Sequence, residues 1–134
     1  MDDSAIAERA LEYALETHPD AAVTVLTVVG GPSTMMGGAT ALALADDVEA
    51  AAAERAAPVF ERAQRVADTR DRDLETAVEL GHPAREIVEH APDYDAIVMG
   101  AHGRHASDPA RRYLVGDVAK TVFERSPVPV TSVR

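Results

Sequence analysis

Ala22-Val-Thr-Val-Leu-Thr-Val-Val29 decides the fold. Its side chains are apolar or β-branched on both alternating faces, so a strand here must be covered on both sides, as in a parallel sheet wrapped by helices. The neighbouring segments supply those helices. Upstream, Ile6, Ala10, Leu11, Ala14 and Leu15 recur at spacings of three and four, a helical stripe that Asp3 or Ser4 can cap and that ends near residues 17–20. Downstream, Gly30-Gly-Pro-Ser stops the strand, and residues 30–44, with four glycines, Met35 and Met36, read as a long mobile loop of the kind that serves a site. The methionines read as loop anchors.

From Asp46 to Ala67 a second helix places Val48, Ala52, Ala56, Val59, Phe60, Ala63 and Val66 towards the sheet, with Pro58 expected to kink it. Leu74 to Leu80 alternates with period two and reads as a strand at or near an edge. Pro83 opens a third helix with Ile87, Val88 and Ala91 as its buried face. Asp95 to Met99 is a short apolar strand. A last helix over 117–125 turns Val118, Val122 and Phe123 inward, and Ser126 to Val133 closes the chain as a strand confined to an edge by Pro127 and Pro129. The order α-β-α-β-α-β-α-β predicts one domain over 1–134, α/β in class: a doubly wound parallel sheet with helices on both faces. A helix with nothing before it is an unusual opening for such a sheet.

Composition narrows the partners. The chain has 134 residues and carries 23 Asp and Glu against 13 Lys and Arg, a net charge of −10 that repels nucleic acid and anionic membranes. Of the basic residues only Lys120 is lysine. That acidic, lysine-poor balance suggests a halophilic cytoplasm, although drift in a GC-rich genome accounts for much of the Ala and Arg. There is no cysteine for a disulfide or thiolate site. No apolar run reaches the ~20 residues of a membrane helix, and no basic-then-apolar leader opens the chain. Cytoplasmic is the default.

The chemistry concentrates in Val98-Met-Gly100-Ala-His102-Gly103-Arg104, followed by a basic loop and Gly116-Asp117-Val118. A strand that ends in glycines and leads to a new helix aims backbone N–H groups and a helix dipole at one point, where a phosphate would sit. His102, Arg104, His105, Arg111 and Arg112 stand in this loop against a single acid, Asp108. Guanidinium groups suit phosphate through paired donors; they also suit ion pairing with acidic helices. Glycines in a strand exit equally serve a tight turn, and Asp117 equally serves as the N-cap of the last helix. His18, His82 and His90 lack metal-ligand spacing, and Ser4, Ser107 and Ser126 have no evident base partner, so no catalytic residue is assigned. His102 and His105 alone could act as a general base in the loop.

Together these elements resemble the universal stress protein family, whose fold is that of the adenine nucleotide alpha hydrolases, over the whole chain. The family's first strand ends in Val-Pro-x-Asp-x-Ser, and Met1-Asp2-Asp3-Ser4 is similar to the tail of that stretch. The resemblance therefore implies a sheet without its central first strand, Met1 being an internal methionine used as a start. Strands 22–29 and 95–100 would then flank a gap, leaving buried backbone groups unpaired at roughly 1–3 kcal/mol each. Either the natural gene begins upstream, or those strands close up, or a partner segment fills the gap.

The family's nucleotide site resembles Gly-x2-Gly-x9-Gly-Ser/Thr. Gly100 and Gly103 match its opening; twelve residues rather than nine separate Gly103 from Gly116, and Asp117 replaces the hydroxyl residue. By resemblance, Asp2 and Val28 flank adenine and ribose, and Gly100, Gly103, Gly116, Asp117 and Val118 meet the phosphates of ATP. Asp2 has no such role if it is an unanchored terminal residue. A phosphate oxygen ~4 Å from the Asp117 carboxylate would be repelled by about 4 kcal/mol at an effective dielectric near 20, unless arginines or a Mg²⁺ bridged by Asp117 offset it. The implied function is a regulatory homodimer that binds ATP, with at most slow hydrolysis, paired through Val128, Val130 and Val133 of the last strand. The alternative is a nucleotide-free dimeric scaffold with a degenerate site.

Overall fold

The computed structural model describes residues 1–30, 45–102 and 115–134. The elements alternate as the sequence predicts: α1 (Ala5–Thr17), β1 (Thr24–Val29), α2 (Ala45–Asp68), β2 (Glu75–Leu80), α3 (Pro83–His90), β3 (Ile97–Gly100), α4 (Asp117–Arg125) and β4 (Val130–Val133), with a 3-10 turn at Ala91–Asp93 after α3. All strand pairs are parallel. β1 pairs with β2, Thr24 opposite Glu75 through Val29 opposite Leu80, and β3 pairs with β4, Ile97 opposite Val130 through Gly100 opposite Val133.

These are two separate two-stranded sheets. β1 and β3 do not close the gap by pairing with each other. Helices hold the halves in register instead: α1 lies on β3 and β4, α2 on β1 and β2, α1 touches α2, and α3 touches α4. The resulting layers are those of an α/β doubly wound fold interrupted at its centre.

The main core cluster is built where α1 and α2 meet β1. Leu11, Leu15, Val25, Ala63, Val66 and Ala67 are buried together, with Met1, Val23, Phe60 and Leu74 packed against them. Small residues at Ala63 and Ala67, fully buried, let α2 approach closely. Three ion pairs fasten the solvent side of this helix pair, Arg62 with Glu8 and Arg70 with both Glu12 and Glu16. α2 runs without a break through Pro58. The bond that proline removes belongs to the carbonyl of Glu54, on a stretch exposed to solvent.

Two inward assignments need correction. Phe123 is 44% exposed, because Ala119 and Val122 form the buried face of α4 and the next residue falls ~100° further round the helix. In α3 the fully buried position is Ala84, while Ile87 and Val88 are only half-buried.

Candidate functional site

Met1 and Asp2 are tied down, so Asp2 is not the unanchored residue that would have lost its expected role. The Met1 amine donates to the carbonyl of Leu26. Burial pushes that amine below the ordinary value of an α-amino group, with the Asp2 carboxylate opposing the shift. Asp2 Oδ1 accepts from the Ser4 N–H at 3.0 Å and from the Ser4 hydroxyl. Ser4 Oγ in turn accepts from Ala7 N–H at 3.2 Å, which makes Ser4 the N-cap of α1. Asp2 is thus held between the Met1 tie to Leu26 and the cap of α1, and Val28 further along β1 is half-buried.

The strand-to-helix turn has a different construction. Ala101 N–H donates to Val133 O at 2.8 Å, and Gly116 N–H donates to Ala101 O at 2.8 Å, so the far end of the loop is stitched back onto β3. Gly116 is the N-cap of α4: its backbone is extended (φ −64°, ψ 154°) while its carbonyl accepts from Lys120 N–H at 2.9 Å. Asp117 is therefore not the cap. It is the first helical residue, exposed, with its carboxylate in the first turn, and its backbone carbonyl accepts from Thr121 Oγ1. No side chain caps α4 among the described residues. The amides of Asp117, Val118 and Ala119 precede the first intrahelical bond and point out of the helix end. Val118 is half-buried beside the buried Ala119.

Gly100 has a packing reason of its own. A Cβ at this position would lie 3.0 Å from Ile6 Cγ2 and 3.2 Å from Ile6 Cγ1, so the glycine admits the first turn of α1 against β3. His102 is half-buried at the turn. Gly103, Arg104, His105, Asp108, Arg111 and Arg112, like Met35 and Met36, lie outside the described residues. Val128 and Val130 are half-buried on or beside β4, as is Val133.

Among the described residues no three His, Cys, Asp or Glu side chains gather to hold a metal. The groove between α1 and α2 is lined by Asp3, Glu8, Glu12, Arg62, Arg65 and Arg70. Arg62 and Arg70 there are committed to the acids of α1, so the groove is a helix seam. No helix among the described residues is long and apolar enough to cross a membrane.

The universal stress protein family model matches residues 1–134. The chain belongs to the universal stress protein family. It is similar to the solved universal stress protein UspA from Lactobacillus plantarum at 29% identity, covering 100% of this chain and 93% of that one with a TM-score of 0.75. A universal stress protein solved in complex with cAMP is 24% identical, covers 100% and 92%, and has a TM-score of 0.68. The universal stress protein of Archaeoglobus fulgidus in complex with dAMP is 20% identical, covers 100% and 92%, and has a TM-score of 0.60. No curated protein matches the chain.

Sequence reasoning missed Arg72. Its guanidinium donates to three carbonyls at the exit of α1, Leu15 O at 2.8 Å, Ala21 O at 2.9 Å and His18 O at 3.1 Å. A lone arginine in the turn between α2 and β2 gives no periodic signal. Its position after the left-handed Asp71 (φ 51°) is set by the turn.

Proposed function

We propose that this chain binds an adenine nucleotide, ATP in the first instance, with its phosphates at the amino end of α4. One observation carries the reading: the amides of Asp117, Val118 and Ala119 have no side-chain cap among the described residues, directly beyond β3. Such amides and the helix dipole together favour an anion. The two solved relatives that hold cAMP and dAMP support adenine nucleotide as the ligand to test first. Gly100, His102, Gly103, Arg104, Gly116, Asp117 and Val118 would surround the phosphates. Asp2 and Val28 would flank adenine and ribose, and Asp2 Oδ1 already has its hydrogen bonds to Ser4. Arginines of the loop, or a Mg²⁺ shared between Asp117 and a phosphate, would offset the carboxylate. In this reading the protein is a regulatory homodimer in the cytoplasm, paired through β4, with at most slow hydrolysis.

Asp117 itself favours a second reading, a dimeric scaffold that holds no nucleotide. A carboxylate in the first turn satisfies the helix dipole without any ligand. Protein denatured directly after purification should release adenine nucleotide, and millimolar Mg-ATP should raise its melting temperature. Asp117→Ser should bind ATP at least about tenfold tighter by calorimetry, since removing a few kcal/mol of repulsion, part of it screened, leaves at least ~1.4 kcal/mol. Neither release nor a melting shift, in wild type and variant alike, would leave the scaffold reading standing.

A further inference from the structure

The Asp2-Asp3-Ser4 turn is held from two sides, one within the turn and one from α2. Ser4 N–H donates to Asp2 Oδ1 at 3.0 Å, and the carbonyl of Asp3 accepts from Arg62 Nη1 at 2.7 Å. These two groups are the ends of a single planar peptide unit, so a bond at each end fixes the rotation of that plane. Asp2 Oδ1, which also accepts from the Ser4 hydroxyl, is oriented by the same plane. No atom of Met1 enters this arrangement.

Arg62 differs here from its neighbour in the helix seam. Arg70 pairs with two carboxylates of α1, Glu16 at 3.0 Å and Glu12 at 3.4 Å, as an arginine that fastens two helices should. Arg62 keeps its Nε 3.8 Å from Glu8 Oε2, a long pair more than a third exposed on both sides, which contributes little. Its short, charge-assisted bond goes to the backbone of the turn that carries Asp2. Asp2 Oδ2 accepts nothing among the described residues, which leaves one carboxylate oxygen for a donor such as a ribose hydroxyl or an amino group.

We propose that Arg62 is a positioning residue for the ligand: by holding the Asp3 carbonyl it sets Asp2 Oδ2 towards the base and ribose of a nucleotide. The inference rests on the adenine nucleotide reading given above. Arg62 stands in the groove between α1 and α2, so it acts through the turn and not by touching phosphates at α4. Without it the Asp3–Ser4 plane keeps only the restraint from Asp2 itself, and the carboxylate spreads over several orientations. If about one in ten of these is competent, apparent affinity falls about tenfold.

The test measures Mg-ATP binding to the 134-residue chain by calorimetry. Arg62→Met should weaken binding about tenfold, and as a partly exposed residue outside the core it can be removed without unfolding the chain, which the melting temperature checks. Glu8→Gln removes the ion pair but leaves the bond to Asp3, and should bind as the wild type does. In an Asp2→Ala background, Arg62→Met should have no further effect, because no carboxylate remains to be set. An arginine that merely braced the helices would weaken binding equally in both backgrounds. Wild-type affinity in Arg62→Met, an equal loss in Glu8→Gln, or additive losses with Asp2→Ala would overturn this inference and leave the nucleotide reading intact; a wild type that binds no Mg-ATP would overturn both.

Discussion

The amino ends of α1 and α4 are opposite solutions to one problem. Each helix begins with amides that have no partner in the helix itself. At α1 the chain supplies the partners, with Ser4 Oγ on Ala7 N–H and Asp2 locking Ser4 in place. At α4 the cap is Gly116, which has no side-chain acceptor to give. α3 is intermediate: it has no side-chain cap, but Pro83 removes one donor and the Glu86 carboxylate curls back beside Gly81. Among the described residues the α4 end therefore has no side-chain cap, next to a strand exit, and this is where the proposed ligand would bind. The nearby Asp117 competes for that place.

The contrast can be attacked in order of expected effect. Both ends of α1 are closed by the chain, and the carboxyl end more heavily. Replacing Arg72 by Met, which keeps length but removes three charged hydrogen bonds, should cost about 3 kcal/mol by urea denaturation. A loss under 1 kcal/mol would mean that water replaces the guanidinium readily. Ser4→Ala should cost about 1 kcal/mol. If it costs nothing, α1 is no better closed than α4 and the comparison fails.

The carboxyl end of α3 extends the pattern through a titratable group. His90 Nδ1 lies 2.9 Å from Glu86 O and Nε2 lies 3.0 Å from Glu79 Oε1, so both ring nitrogens face acceptors and the imidazolium is favoured. The bond to the Glu86 carbonyl is the main cause holding the His90 pKa above its ordinary value; burial opposes it and Glu79 adds to it. The sign follows from that direction. The stabilisation is fully present below about pH 6.5, the unfolded value, and is lost as pH rises through the higher folded value. With both partners about one-third exposed, the effect should stay below ~1 kcal/mol. Glu79→Gln should lower the His90 pKa in an NMR titration without returning it fully to the unfolded value. A larger drop would make Glu79, not the backbone, the main cause.

The smallest stability change should accompany the sharpest functional one. Gly116→Ser offers α4 the acceptor it lacks, and stability should change by only a few tenths of a kcal/mol. If the proposed site is right, ATP affinity should fall, because the new hydroxyl takes an amide that the phosphate would use. Unaltered affinity in a folded variant would place the ligand elsewhere.

Sequence reading located the strands because their signal is local: Thr24–Val29 and Ile97–Gly100 are apolar whichever face is considered. It located the interrupted sheet through the likeness of Met1-Asp2-Asp3-Ser4 to a strand tail. It failed where one position can serve two roles. Asp117 has the composition of an N-cap, but the cap is fixed by backbone angles, and those place Gly116 outside the helix and Asp117 inside it. Phe123 fits an amphipathic pattern until Ala119 and Val122 set the phase. Arg72 makes contacts to residues more than fifty positions away, and no window along the chain carries that.

The contact of Ile6 with position 100 separates ancestry from activity. A Cβ there would crowd the Ile6 side chain and oblige it to give by a few tenths of an ångström, whether or not the adjoining loop ever meets a ligand. Selection for a well-seated helix would keep that glycine in a descendant that had given up nucleotide altogether. Helix packing alone accounts for Gly100, so a test of what the chain binds falls on Gly116 and Asp117.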